Sequence, residues 1–441
     1  MSDQKPPPVI LQILPALNQG GIERGTLEIA SAIQQAGAKA VVVSEGGQLV
    51  PALTHSGATH IVLPHCGKKS PVSVLHNARI LARIIKEHKV SLVHARSRIP
   101  AWTAWFACRR TQTPFVTTWH GVHNSDFPGK HRYNAVLARG DRVIAISRHI
   151  GQKLTSEYNL TPDQLRIIPR GADIRQFTPE AVSGLRVHSL SEQWNIPPDK
   201  HIILLPGRLT EWKGQAFLLQ ALCHLRKQAP HLQWCCLFTG TGSPENKFEK
   251  KLLGLIKKTG LTDDVFFTGH CSDMPAAFAM ATVVVVPSLR PEPFGRVVVE
   301  AQAMCCPVIV TAHGAALETV RNGLTGLAIP PGDDVALADA LRIVLEASPE
   351  GRASMGQTAR NDVLLNYTTL NMQHATLGTY DELLGTHLAE TFSHTMADTA
   401  RQQAEQGELS VKNYFSQLAH PGQHTAHVSE NTSFHPSDAE F

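Results

Sequence analysis

No apolar run in this chain approaches the ~18 residues that a membrane-spanning helix needs, although 42% of its 441 residues are hydrophobic. Charge is sparse: 18% of residues are charged and the formal net charge is +4. That is too little for bulk electrostatics to draw the chain to nucleic acid. Its eight cysteines form no Cys-x-x-Cys pair, and no Cys/His spacing matches a zinc site. Buried free thiols in a reducing compartment are therefore expected. The opening Met-Ser-Asp-Gln-Lys-Pro-Pro-Pro leads into Val9–Leu14, too short for a secretory apolar segment. A cytoplasmic location is the expectation.

What is present is a rhythm. Short β-branched runs (Val9–Leu14, Ala40–Ser44, His60–Leu63, Ser91–Ala95, Phe115–Trp119, Arg142–Ile146, Arg166–Pro169) alternate with amphipathic segments such as Glu23–Gln35 and Val74–His88. Polar, Pro-, Ser- and Gly-containing sequence at Thr178–Lys200 interrupts it. The alternation then restarts with Ile202–Leu205, Gln233–Phe238, Val265–Thr268, Val283–Val286, Val308–Thr311 and Gly326–Ile329. This pattern predicts α/β architecture with two doubly wound parallel sheets and a cleft between them.

The densest chemistry lies in Ser288-Leu-Arg-Pro-Glu-Pro-Phe-Gly-Arg-Val-Val-Val-Glu300. Glu292 falls on the loop after the strand Val283–Val286, the ligand edge of an open α/β sheet. Glu300 falls about one turn into the following helix. Phe294 and Gly295 offer backbone N–H groups at that helix's start, where anions are favoured. A carboxylate for hydroxyls, a second one deeper in and N–H groups for phosphate suit a nucleotide sugar.

This block resembles the Glu-x7-Glu signature of the retaining GT-B glycosyltransferases, glycosyltransferase family 4 in particular, and the resemblance extends over most of residues 9–386. Cys305 and Ala315 depart from it, each standing where the family usually has Gly. The resemblance implies two Rossmann-like domains. Residues 9–185 would be the acceptor side, with 367–386 crossing back as the last helix, and 186–366 would bind the nucleotide sugar. Residues 1–8 are expected to be a flexible start and 387–441 a polar tail, a loose helix followed by disorder.

It also implies roles. In Pro206-Gly-Arg-Leu-Thr-Glu-Trp-Lys213, Arg208 and Lys213 match the family's Arg and Lys, cations that stabilise a departing diphosphate. His120, in Thr-Trp-His-Gly, matches a His that faces the donor sugar. Gly20 and Gly21 match the Gly-Gly-x-Glu loop, Ser147 a Ser at the cleft edge, and Gly240 a loop lining the nucleotide pocket. Arg170 departs from the family's Asn in Asn-Gly-x-Asp. Gly240-Thr-Gly lacks the third glycine of a dinucleotide fingerprint, so NAD is not expected. Asp-x-Asp, by which another glycosyltransferase class holds a divalent ion, is absent, and no metal or cofactor is expected.

The expectation is a retaining hexosyltransferase acting from a nucleotide diphosphate sugar to a glycan or glycolipid hydroxyl, in lipopolysaccharide or envelope polysaccharide synthesis. Two other readings fit the same fold: a UDP-sugar 2-epimerase and a non-catalytic nucleotide-sugar or lipid-binding protein. Arg79, Arg83 and Lys86 share a helical face, and arginines interleave with Trp102, Trp105 and Phe106. These suggest peripheral contact with anionic membrane at the inner membrane's cytoplasmic face.

Overall fold

A computed structural model of the chain describes residues 6–18, 20–122, 129–241 and 247–405. Contacts gather the described residues through Phe392 into one compact unit, and the described residues from Ser393 to 405 belong to another.

Two parallel sheets organise the first unit. The seven-stranded sheet has the order β3-β2-β1-β4-β5-β6-β7. Its strands are β1 Val9–Ile13, β2 Lys39–Ser44, β3 Thr59–Val62, β4 Leu92–Ala95, β5 Phe115–Trp119, β6 Arg142–Ala145 and β7 Leu165–Ile167. The six-stranded sheet has the order β10-β9-β8-β11-β12-β13. It comprises β8 His201–Pro206, β9 Trp234–Thr239, β10 Val265–Gly269, β11 Val283–Val286, β12 Val308–Thr311 and β13 Leu327–Ile329. Every pairing is parallel. Such strands are covered on both faces, so they read as continuous apolar runs. β11, four valines in a row, is buried throughout, and each buried Val or Leu contributes about 1.5–3 kcal/mol.

In the first half the helices are α1 Gly21–Gln35, α2 Val50–His55, α3 Pro71–Glu87, α4 Arg98–Thr111, α5 Lys130–Asn134 and α6 Arg148–Tyr158. The second half has α7 Gly184–Gln193, α8 Gln215–Gln228, α9 Lys247–Thr259, α10 Met274–Met280, α11 Arg296–Ala303, α12 Ala316–Thr319, α13 Asp334–Glu346 and α14 Pro349–Asn366. Two more follow, α15 Thr369–Leu384 and α16 Leu388–Glu405. α15 packs on α1, and its Tyr380 hydroxyl lies 2.7 Å from His94 Nδ1 at the end of β4.

One expectation is corrected. The supposed linker contains α7, capped by the Ser183 side chain. It docks on α10 through Arg186, whose Nε and Nη2 reach the Asp273 carboxylate at 2.9 and 2.6 Å. At the start of the expected tail, residues 388–405 are helical. Asp381 anchors that helix's start by accepting from the Leu388 and Ala389 N–H groups at 2.7 and 2.9 Å, and Phe392 is buried. The rest of the expected tail, 406–441, and residues 1–5 of the expected flexible start lie outside the described residues. Among the described residues no helix is long and apolar enough to cross a membrane.

Candidate functional site

Strand order reverses between β1 and β4 in one sheet and between β8 and β11 in the other. Ligands of open α/β sheets bind outside the strand ends at such points. Sequence-predicted residues flank both. β1 ends before the Gly20–Gly21 loop, and β4 ends at Ala95, just before Arg96. β8 leads into the Gly207–Gly214 loop, and β11 leads into Pro287–Gly295.

At the second switch point the Lys213 ammonium lies 2.6 Å from Glu292 Oε1. Ser288 Oγ donates to the same oxygen at 2.6 Å, and Lys213 lies 4.2 Å from the centre of the Trp212 ring. The two loops are joined by backbone, Leu289 N–H donating to Trp212 O at 2.8 Å. Gly214 permits this closeness: its φ is +81°, and a Cβ there would fall 2.0 Å from Pro287 O. Arg208 stands on the same loop with an exposed side chain, and its carbonyl accepts from Gln215 Nε2 at 3.0 Å. The Lys213 ammonium and the Glu292 carboxylate therefore face one another.

Glu292 also makes a bridge with Gly314. Gly314 has φ +63° and a Cβ there would meet Glu292 O at 2.6 Å, so glycine is needed at this position. Ala315 adopts φ −78° and donates its N–H to Glu292 O at 3.0 Å. Its departure from the family's second glycine therefore carries no backbone strain. The departure at Cys305 does: φ is +57°, a region costly for a side chain.

Glu300 is 8% exposed and 3.2 Å from Arg296. Burial raises its pKa above the usual carboxylate range, opposed by the Arg296 and Arg24 charges. Phe294 is buried near Tyr367, and Gly295, at φ +85°, begins α11. Gly240 serves a close approach of loops, since a Cβ there would lie 2.2 Å from Gly207 O. The residues after it, 242–246, lie outside the described set.

On the first sheet's side, Gly20 caps α1 and its carbonyl accepts from Arg24 N–H at 3.1 Å. Gly21 O accepts from Arg170 Nη2 at 3.1 Å. His120 follows directly on β5. Ser147 is fully buried and its Oγ accepts from Ile150 N–H at 3.1 Å, so it serves as the cap of α6.

Sequence reasoning missed Glu28. Its carboxylate lies 3.2 Å from Arg170 and 3.5 Å from Arg296. Burial lowers the Arg170 pKa to about 10, partly offset by Glu28. Glu318 of α12 was also missed. It accepts from the Arg148 and His149 N–H groups at 2.8 and 2.7 Å, placing a carboxylate on the N-terminus of α6. Its carbonyl accepts from the Tyr367 hydroxyl at 2.6 Å.

Two family descriptions match the chain: Glycosyl transferases group 1 over residues 188–362, and Glycosyltransferase Family 4 over residues 19–176. A glycosyltransferase of known structure from Rickettsia africae ESF-5 is 32% identical, with a TM-score of 0.79 over 86% of this chain and 100% of that one. Anabaena HepE, solved with UDP and glucose, shares the fold at 23% identity and a TM-score of 0.72, over 84% of this chain and 99% of its own. The D-inositol 3-phosphate glycosyltransferase of Salinispora arenicola (strain CNS-205) is 28% identical over 289 residues, 61% of this chain and 64% of that relative. The chain thus spans somewhat under two thirds of the length of that curated relative. Its two sheets, its paired switch points and these matches assign the chain to the GT-B glycosyltransferases, in glycosyltransferase family 4.

Proposed function

We propose that the chain is a metal-independent, retaining hexosyltransferase using a nucleotide diphosphate sugar, acting as a glycosyltransferase at the second sheet's switch point. The observation that carries this reading is the 2.6 Å pairing of Lys213 with Glu292. It joins a diphosphate cation and a sugar-gripping carboxylate in one loop pair. That HepE was solved with UDP and glucose supports a nucleotide-sugar donor.

In this reading Arg208 and Lys213 neutralise the diphosphate as the bond from the anomeric carbon to its phosphate oxygen breaks. The acceptor hydroxyl oxygen forms the new bond on the same face and its proton passes to the leaving phosphate oxygen. Glu292, with the Phe294 and Gly295 amides, orients the sugar, and Glu300 takes the ribose hydroxyls. His120 braces the sugar, with Gly20, Gly21, Ser147 and Gly240 shaping the cleft around the donor. Each carboxylate is committed to a cation, which supports orientation of the donor rather than a glycosidase-like pair across the anomeric carbon.

The acceptor reading is an envelope glycolipid, such as a lipopolysaccharide precursor, reached from the cytoplasmic face of the inner membrane. Exposed Arg79, Arg83 and Lys86 on α3 support it. So does the α4 surface, where Arg109 and Arg139 lie 5.0 and 4.5 Å from the Trp105 ring centre. The curated relatives' name favours a second acceptor, a phosphorylated polyol.

Glu292→Gln tests the core of the proposal. Transfer from a matched donor should fall at least ~100-fold while nucleotide affinity changes little. Equal losses in both would remove the assigned role. Sugar isomerised without nucleotide release would make the chain an epimerase, and binding without turnover would make it a non-catalytic binder. Comparing glycolipid with inositol phosphate as acceptor decides between the two acceptors.

A further inference from the structure

Beside the first sheet's switch point lies a small cavity lined by Arg96, Arg170, His94 and Thr118, together with apolar side chains including Ile144 and Ile146. It has room for an occupant about the size of one water molecule. Arg96 is 2% exposed. Its Nε donates to Gln12 Oε1 at 2.7 Å, but its Nη2 is buried with no hydrogen-bond partner. Arg170 is 5% exposed.

The polar neighbours point the same way. His94 is fully buried, and burial together with the Arg96 charge holds its pKa well below the usual range, so the ring is neutral. Its Nδ1 lies 2.7 Å from the Tyr380 hydroxyl and its Nε2 lies 2.7 Å from Thr118 Oγ1. With Tyr380 donating to Nδ1, Nε2–H donates to Thr118, whose own hydrogen is then free to donate. No carboxylate lines the cavity. The Glu28 charge reaches Arg96, but that carboxylate is already shared between Arg170 and Arg296. Buried charge that is only partly balanced is costly. A water molecule would satisfy an N–H group but leave that charge unbalanced.

We propose that this cavity binds one small monovalent anion of chloride size, held by Arg96 Nη2, the Arg170 guanidinium and the Thr118 hydroxyl. Larger oxyanions are excluded by its size. The anion fixes Arg170, which holds Gly21 O and Glu28, and Glu28 in turn holds Arg296 beside Glu300. Halide occupancy is thereby linked to both switch points. This inference stands whether or not the transferase reading does.

The test is thermal unfolding of the full chain in gluconate and in chloride at equal ionic strength. Chloride should raise Tm saturably, by about 2–4 °C. Bromide should substitute and sulfate should not. The difference should vanish in Arg96→Gln. Equal Tm in gluconate and chloride overturns the proposal, as does an undiminished chloride effect in Arg96→Gln. Should that variant fail to fold, a bromide-soaked crystal of the native protein decides: an anomalous peak between Arg96 and Arg170 supports the site, and a water there overturns it.

Discussion

The Glu28 carboxylate on α1 reaches Arg296 Nη2 on α11 at 3.5 Å, so an ion pair joins a helix of the first sheet to one of the second. Its other oxygen holds Arg170 at 3.2 Å. The Glu28, Arg170 and Arg296 side chains are 15%, 6% and 17% exposed. Solvent therefore screens this network far less than a surface pair.

Glu28→Gln keeps the shape and removes the charge. It leaves two guanidinium groups facing a neutral amide, a change that costs about 3–5 kcal/mol in buried networks. Denaturant unfolding should show that loss. A loss below about 0.5 kcal/mol, the surface-pair range, would mean the network contributes little.

Glu318 holds the start of α6 through two charge-assisted hydrogen bonds. Glu318→Ala should cost about 1–2 kcal/mol, as lost helix caps do. Amide exchange should rise at Arg148 and His149 but not at Ile150, which keeps the Ser147 cap. Uniform exchange along α6 would contradict this division.

Cys305 occupies a left-handed backbone position, with φ +57°. Cys305→Gly removes a steric cost of roughly 1–2 kcal/mol and adds some unfolded-state entropy. A net gain of about 0.5–1 kcal/mol is expected as a higher Tm. A lower Tm would show that the side chain's packing outweighs its strain.

Acid should destabilise the fold through His94. Folded, it stays neutral because burial and Arg96 hold its pKa well below 6.5; unfolded, it takes a proton near that value. Below pH 6.5 the unfolded state therefore binds more protons, and this residue removes about 1.4 kcal/mol of stability per pH unit. Burial lowers His60, His201 and His374 too, so their contributions add. The slope between pH 6.5 and 5 should be shallower in His94→Gln; an identical slope would acquit this residue.

All the strands of both sheets were legible, because buried parallel strands are unbroken apolar runs and only their ends move by a residue or two. α7 was not, since Ser183 and Gly184, which read as loop punctuation, cap and start a helix. α4 was hidden because Trp102, Trp105 and Phe106 share its outer face with Arg98, Arg109 and Arg110 while mostly small residues fill its buried face, so hydropathy marks no polar side. At the site, local motifs brought Glu292, Arg208 and Lys213 to notice. Glu28 and Glu318 escaped because their partners lie 142 to 268 residues away in sequence, and no spacing rule reaches so far. The one available signal was Arg170, a cation replacing a neutral amide.

The hydrogen bond from Leu289 to Trp212 has a mechanical meaning. It rivets the loop bearing Lys213 to the loop bearing Glu292, so any swing of one sheet against the other would carry both side chains together. Geometry between them is then set during folding, and under the proposed function a donor would meet a grip already formed.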